Sequence, residues 1–256
     1  MDAGRRARYL GALGIDAWVP RSGRGAPQAR AAGARTAAER TATAGHSTAR
    51  SAELQPAAAD ADAREVAGAW DTLRAEVETC TQCPLHRTRT RAVFGVGDLH
   101  AQWLVVGEAP GAEEDRQGEP FVGRGGQLLD AMLLSIGLAR GRNVYIANVL
   151  KSRPPNNRDP KPEEVASCLP YLKRQIALIK PVLILAVGRI AAHHLLGVTA
   201  SLGSLRGRVH RFGELNTPVV VTYHPAYLLR TPADKRKAWE DLKFARSVFR
   251  ELTSAA

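Results

Sequence analysis

The 256 residues are 45% hydrophobic and 24% charged, with a net charge of +11. That much apolar material closes a core, while no run approaches the roughly 18 apolar residues that cross a bilayer and the N-terminus lacks the apolar stretch of a secretory signal, so a cytoplasmic, monomeric protein with no membrane partner is expected. The basic balance points to a polyanionic partner, and three cysteines, two of them spaced Cys80-x-x-Cys83, suit a metal or redox site in a reducing compartment better than a disulfide framework.

In chain order, residues 1–62 form the first region. The stretch RRARYLGALGIDAWVP gathers Tyr9, Leu10, Leu13, Ile15, Trp18 and Val19, either as a short segment that docks another protein or as a frayed terminus. From Ser22 to Asp60 the composition is Ala, Arg, Thr, Gly and Ser with almost no large apolar side chain, which predicts a disordered linker. Residues 1–60 hold nine Arg and no Lys against five acids, and the remainder keeps an excess of seven bases, so the folded part is basic too.

The second region, residues 63–256, opens with Val66, Trp70, Leu73 and Val77 at helical spacing. Apolar runs at Trp103–Val106, Val144–Ala147, Val182–Val187 and Val219–Thr222 then alternate with helical periodicity at Gln127–Ile136, Pro162–Ile179, Arg189–Leu196 and Ala233–Leu252. This alternation predicts an α/β fold, a three-layer α/β/α sandwich around a mostly parallel four-stranded sheet. Ligands of such sheets collect at the carboxyl ends of the strands. Here the loops after the first, second and fourth strands, GEAPGAEEDRQGEPFVGRGGQLL, NVLKSRPPNNRDPKPEE and YHPAYLLRTPADK, carry polar, Gly and Pro residues that a plain connection does not need.

Gly107-Glu108-Ala109-Pro110-Gly111, followed by Glu114-Asp115 and Pro120-Phe121-Val122-Gly123, resembles the first motif of family 4 uracil-DNA glycosylases. His224-Pro225-Ala226-Tyr227-Leu228-Leu229-Arg230 resembles their second, and Asn148 and the loop Arg153-Pro154-Pro155-Asn156-Asn157-Arg158-Asp159-Pro160 fall between them in the same order. The resemblance covers about residues 78–252. It implies an enzyme that flips uracil out of DNA and hydrolyses its N-glycosidic bond, which starts base excision repair. Two other readings are a glycosylase of broader specificity for deaminated bases and a DNA-binding member of the fold without activity. A phosphate-handling enzyme is disfavoured, because Gly107–Gly111 lacks the Lys and Ser/Thr of a P-loop.

A flipped base needs an aromatic plane, a reader for its Watson–Crick edge and a donor for the charge on the leaving base. Phe121 is the candidate for stacking, with Gly107 and Ala109 beside the base. Asn148 is the candidate reader, since one amide accepts from uracil N3–H while donating to O4, whereas cytosine presents the opposite pattern. His224 is the candidate donor to uracil O2. For the water nucleophile the carboxylates at hand are Glu108, Glu114 and Asp115, with Glu114 favoured; Ala109 stands where the better-known branch of the superfamily has an Asp. Arg153, Asn157, Arg158, Arg206, Arg208, Arg211 and Arg230 are candidates for phosphate contact, and Leu228 or Leu229 for filling the gap left in the DNA. His193 and His194, adjacent on a helix, point about 100° apart and are read as structural.

Family members supply four cysteines to a 4Fe-4S cluster. Cys80, Cys83 and Cys168 match three of those positions, while Ser152 stands at the fourth. A serine oxygen is a harder ligand than thiolate, which leaves three outcomes: a cluster completed by Ser152 or an outside ligand, a three-iron form, or three structural thiols.

Overall fold

The computed structural model describes residues 56–254. The N-terminal docking segment and most of the expected linker lie outside them. Helix α1, Pro56–Glu78, begins seven residues before the expected domain start at Ala63, so the last residues assigned to the linker are helical. Its apolar positions Trp70, Leu73 and Val77 are buried.

The remaining elements are β1 (Val96–Gly97), β2 (Trp103–Gly107), α2 (Ala112–Gln117), α3 (Arg124–Ser135), β3 (Val144–Asn148), α4 (Pro162–Ile179), β4 (Leu183–Val187), α5 (Arg189–Leu196), α6 (Leu202–Leu205), β5 (His210–Phe212), β6 (Thr217–Thr222), α7 (Pro225–Arg230) and α8 (Lys235–Ser254). The sheet has six strands in the order β1-β3-β2-β4-β6-β5. The four expected strands form its parallel centre, β3-β2-β4-β6, and two short antiparallel strands, β1 and β5, border it. The sequence reading missed both edges. A two-residue Val-Gly strand and a three-residue His-Arg-Phe strand are too short to show an alternating pattern.

The central strands are apolar throughout because both faces are covered. Alternate residues feed two cores. Leu104, Val106, Tyr145, Ala147, Ile184, Ala186, Val219 and Val221 face a core shared with α1, α4 and α5. Trp103, Val105, Val144, Ile146, Leu183, Leu185, Val187 and Val220 face one shared with α3, α7 and α8. The result is the expected three-layer sandwich. Because the central strands run parallel, Gly107, Asn148, Val187 and Thr222 all end at one rim, where their loops converge.

Candidate active site

The rim holds a cavity of about 480 Å³, within the range of small-molecule sites, roughly 300–1,000 Å³. Gly107 and Asn148 are partners in register at the ends of β2 and β3. Asn148 is 2% exposed and lines the cavity, yet its side-chain Oδ1 has no hydrogen-bond partner. A buried acceptor left unmatched costs roughly 1–3 kcal/mol, a penalty that a ligand N–H would remove. Gly107 is required by this apposition, since a Cβ there would lie 2.4 Å from Asn148 Oδ1 and 2.5 Å from Phe121 Cζ.

Phe121 adopts φ +56°, a left-handed conformation costly for an aromatic residue. Its surroundings impose it. Arg140 donates to the carbonyls of Pro120 at 2.9 Å and Phe121 at 2.7 Å, and Gly126 lies so close that a Cβ would overlap the Phe121 carbonyl. Glu114 fixes the other side of the loop. Its Oε1 accepts from the N–H groups of Val122 and Gly123, each at 3.0 Å, and its Oε2 accepts from Gly111 at 3.1 Å. Through the last bond Glu114, three residues into the start of α2, reaches back to the N-cap N–H of Gly111. Glu114, favoured from the sequence for water, borders the cavity but has its carboxylate engaged in holding the loop.

His224 caps α7: its Nδ1 accepts from the Ala226 N–H at 3.2 Å, which leaves Nε2 to carry the proton. The residue opens onto the cavity, yet the protein packed round its ring pushes the imidazole down to about 4, with Arg230 adding to the effect and Glu114 opposing it. It is a neutral donor at ordinary pH. Its ring centroid is 5.6 Å from that of Phe121. Gly188, at φ +99°, gives it room, because a Cβ there would lie 2.9 Å from the His224 Cβ.

Glu108 also lines the cavity, and its carboxylate accepts no hydrogen bond from another described residue. Burial, with Asp159 nearby and Arg189 opposing, pushes it up to about 7. Asp115 instead accepts from the Thr90 N–H at 2.9 and 3.1 Å and is 5% exposed, away from the cavity.

The remaining expected contacts divide. Ala109, Asn157, Arg158 and Arg230 line the cavity. Arg153 donates to Asn157 Oδ1 at 2.8 Å, which braces the loop. Arg158 is bidentate to the buried Glu164 at 2.9 and 2.5 Å, so it latches that loop to α4. Arg206 is no free phosphate ligand. It pairs with buried Asp241 at 2.7 Å and lies over the Tyr223 ring. Arg211 donates to the Asn216 carbonyl within the β5–β6 hairpin. Leu228 is 1% exposed and belongs to the core, so it is unavailable as a wedge; Leu229 is half-buried. His193 anchors the following loop through the Ala200 carbonyl at 2.6 Å. The sequence reading missed Arg124 and Asp159 on the cavity wall and Arg189, which pairs with Asp159 at 3.4 Å. Arg124 and Arg189 open α3 and α5 at the strand rim, a position that was legible as a signal.

The three cysteines follow a different part of the fold. Cys80 and Cys83 sit between α1 and the turn Pro84–Arg87, and Cys168 is in α4. All pack in one core region, where burial above all pushes the Cys83 and Cys168 thiols up. Cys168 Sγ accepts from the Lys151 N–H at 3.4 Å. Ser152, 3% exposed, accepts from Arg89 Nη1 at 3.0 Å. Among the described residues no three His, Cys, Asp or Glu side chains are gathered to hold a single metal ion, nor is any helix long and apolar enough to cross a membrane.

Comparison with known proteins places the chain in a family. The sequence model of the uracil DNA glycosylase superfamily matches residues 94–243. The chain is 45% identical over 172 residues to a type-4 uracil-DNA glycosylase of Pyrobaculum aerophilum, covering 65% of this chain and 87% of that protein. It is 45% identical over 180 residues to the type-4 uracil-DNA glycosylase of Archaeoglobus fulgidus, covering 68% and 89%. It is also 28% identical over 160 residues to a DNA polymerase of Bacillus phage SP01, of which the match spans 17%.

Proposed function

The chain belongs to the uracil-DNA glycosylase superfamily, and from that premise we propose that it excises uracil from DNA by hydrolysing the N-glycosidic bond while leaving the sugar–phosphate backbone intact. The observation that carries the reading is the orphaned Asn148 Oδ1, buried in the cavity within reach of Phe121 and His224. Uracil N3–H supplies the missing donor. Cytosine presents a lone pair there, so its entry would leave the same acceptor unmatched, which is how a polar pocket rejects a near-isostere.

In the reaction the extruded uracil stacks on Phe121 and is read by Asn148. As the C1′–N1 bond breaks, electrons pass to the base, and the neutral His224 Nε2–H stabilises the charge developing on uracil O2. A water held by Glu108 adds to C1′ and loses its proton. The base leaves with its electron pair and is protonated to free uracil, leaving an abasic sugar. Glu108 fits the water-holding role because its carboxylate is uncommitted, whereas Glu114 and Asp115 are bound to backbone N–H groups. Glu114 acts instead by holding the Gly111 and Val122–Gly123 segments. Exposed Arg124 and Arg230 on the cavity wall meet phosphates, and Leu229 is the remaining candidate wedge.

The thiols Cys80, Cys83 and Cys168 form a donor set suited to a multi-iron cluster. Ser152, whose hydroxyl accepts from Arg89, would offer a fourth, oxygen ligand. Such a cluster supplies a structural clamp joining the end of α1, the loop after β3 and α4. The deciding assay is excision from a labelled uracil-containing oligonucleotide, with alkali to reveal abasic sites, run for the wild type and Asn148→Ala. Strand scission that requires uracil, alkali and Asn148 supports the proposal. No scission by the wild type refutes it.

A further inference from the structure

Lys151 is a buried amine beneath the base pocket that the excision chemistry leaves without a role. It lies three residues past Asn148, is 2% exposed, and turns back under the strand end. Its Nζ donates to the Asn148 carbonyl oxygen at 2.9 Å and to Gln175 Oε1 at 2.7 Å. Its own N–H donates to Cys168 Sγ, so the residue is held at both ends. Gln175, 0% exposed, is fixed in turn through Nε2 to the Phe94 carbonyl at 3.0 Å and to Tyr145 Oη at 3.4 Å.

Filling space does not by itself call for an amine here. Burying an ammonium is costly even when it is paired, and a methionine of similar shape would fill the space without that cost. What the amine does, and an apolar chain cannot, is hold the Asn148 carbonyl. That carbonyl belongs to the residue whose side chain reads the base, at the point where the strand ends and the backbone leaves the sheet.

We propose that Lys151 is a positioning residue for base recognition: it anchors the Asn148 backbone to the rigid α4 core through Gln175 and thereby fixes the aim of the reading amide. The inference rests on the uracil-reading role of Asn148. Misplacement of a substrate-positioning group by about 1 Å costs on the order of 100-fold in rate, and a loosened reader loses selectivity along with rate.

The test compares full-length wild type, Lys151→Met and the double variant Lys151→Met/Gln175→Leu. Three readouts apply: single-turnover excision from oligonucleotides carrying uracil or cytosine, inhibition by free uracil, and thermal unfolding. Lys151→Met takes the donor from the Gln175 and Asn148 acceptors and loses stability. The double variant removes the Gln175 acceptor but leaves the Asn148 and Phe94 carbonyls without these donors. An unfolded fraction lowers the amount of active protein and leaves the uracil-to-cytosine ratio and the uracil inhibition constant unchanged. On the proposal both variants lose about 100-fold in uracil excision. Both also bind free uracil more weakly and discriminate less against cytosine, which lost stability by itself would not cause. An unchanged uracil-to-cytosine ratio in both variants overturns the proposal, as does unchanged uracil inhibition. Failure of the wild type to excise uracil would remove the premise itself, a result distinct from either.

Discussion

The pH dependence of excision follows from Glu108. With its carboxyl pushed up to about 7, only about 1% is ionised at pH 5, about 10% at pH 6 and about 90% at pH 8. A water held by the carboxylate requires the ionised form, so the single-turnover rate should rise about tenfold from pH 5 to pH 6 and level off by pH 8. His224 contributes nothing to this limb, because its ring is already neutral above about 4. Glu108→Gln should abolish the limb and lower the plateau by about 100-fold or more. Asp159→Asn removes a charge that raises Glu108, so it should move the limb to lower pH. The folded-state value also lies above the ordinary carboxylate value of 4.5. Between the two the native protein binds the extra proton, so this group costs stability as pH rises through that window, and Glu108→Gln should remove that slope. The assay is a single-turnover time course on uracil-containing single strands in constant-ionic-strength buffers. A wild-type profile flat from pH 5 to 8, or a limb that persists in Glu108→Gln, would refute the assignment.

Three further outcomes are expected. His224→Ala should lose about 100- to 1,000-fold in rate, as when one preorganised donor is removed, while keeping the midpoint of the acid limb; a shifted midpoint would mean that His224 titrates in this range after all. Gly107→Ala should fold but lose most uracil excision, since its Cβ would intrude to 2.4 Å from Asn148 Oδ1 and 2.5 Å from Phe121, and near wild-type kinetics would show that the floor relaxes. Ser152→Cys, purified anaerobically beside the wild type, should hold more iron and sulfide per chain and resist air longer; equal iron in both would remove Ser152 from the ligand set.

The layered architecture was legible in the sequence because each central strand is buried on both faces and each long helix on one. Burial of that kind writes itself as continuous apolar runs and helical periods, so Val144–Asn148, Leu183–Val187 and Pro162–Ile179 fall close to where the pattern puts them. The edge strands left no such record, being too short to repeat. Phe121, Asn148 and His224, which line one cavity, were singled out from chemistry and from the resemblance. Tertiary structure alone decided how the other candidates are used. Glu108 and Glu114 are both acidic residues of the segment after β2, and only the backbone N–H groups that fold onto Glu114 commit it to structure and leave Glu108 open. Arg206 and Leu228 look like surface contacts until Asp241 and the second core claim them. Lys151 lies in the segment after β3 and is nevertheless buried, because its partners Gln175 and Cys168 come from a helix packed across that segment. A local sequence specifies which bonds a residue is able to make, and the packing of distant segments determines which of them remain free.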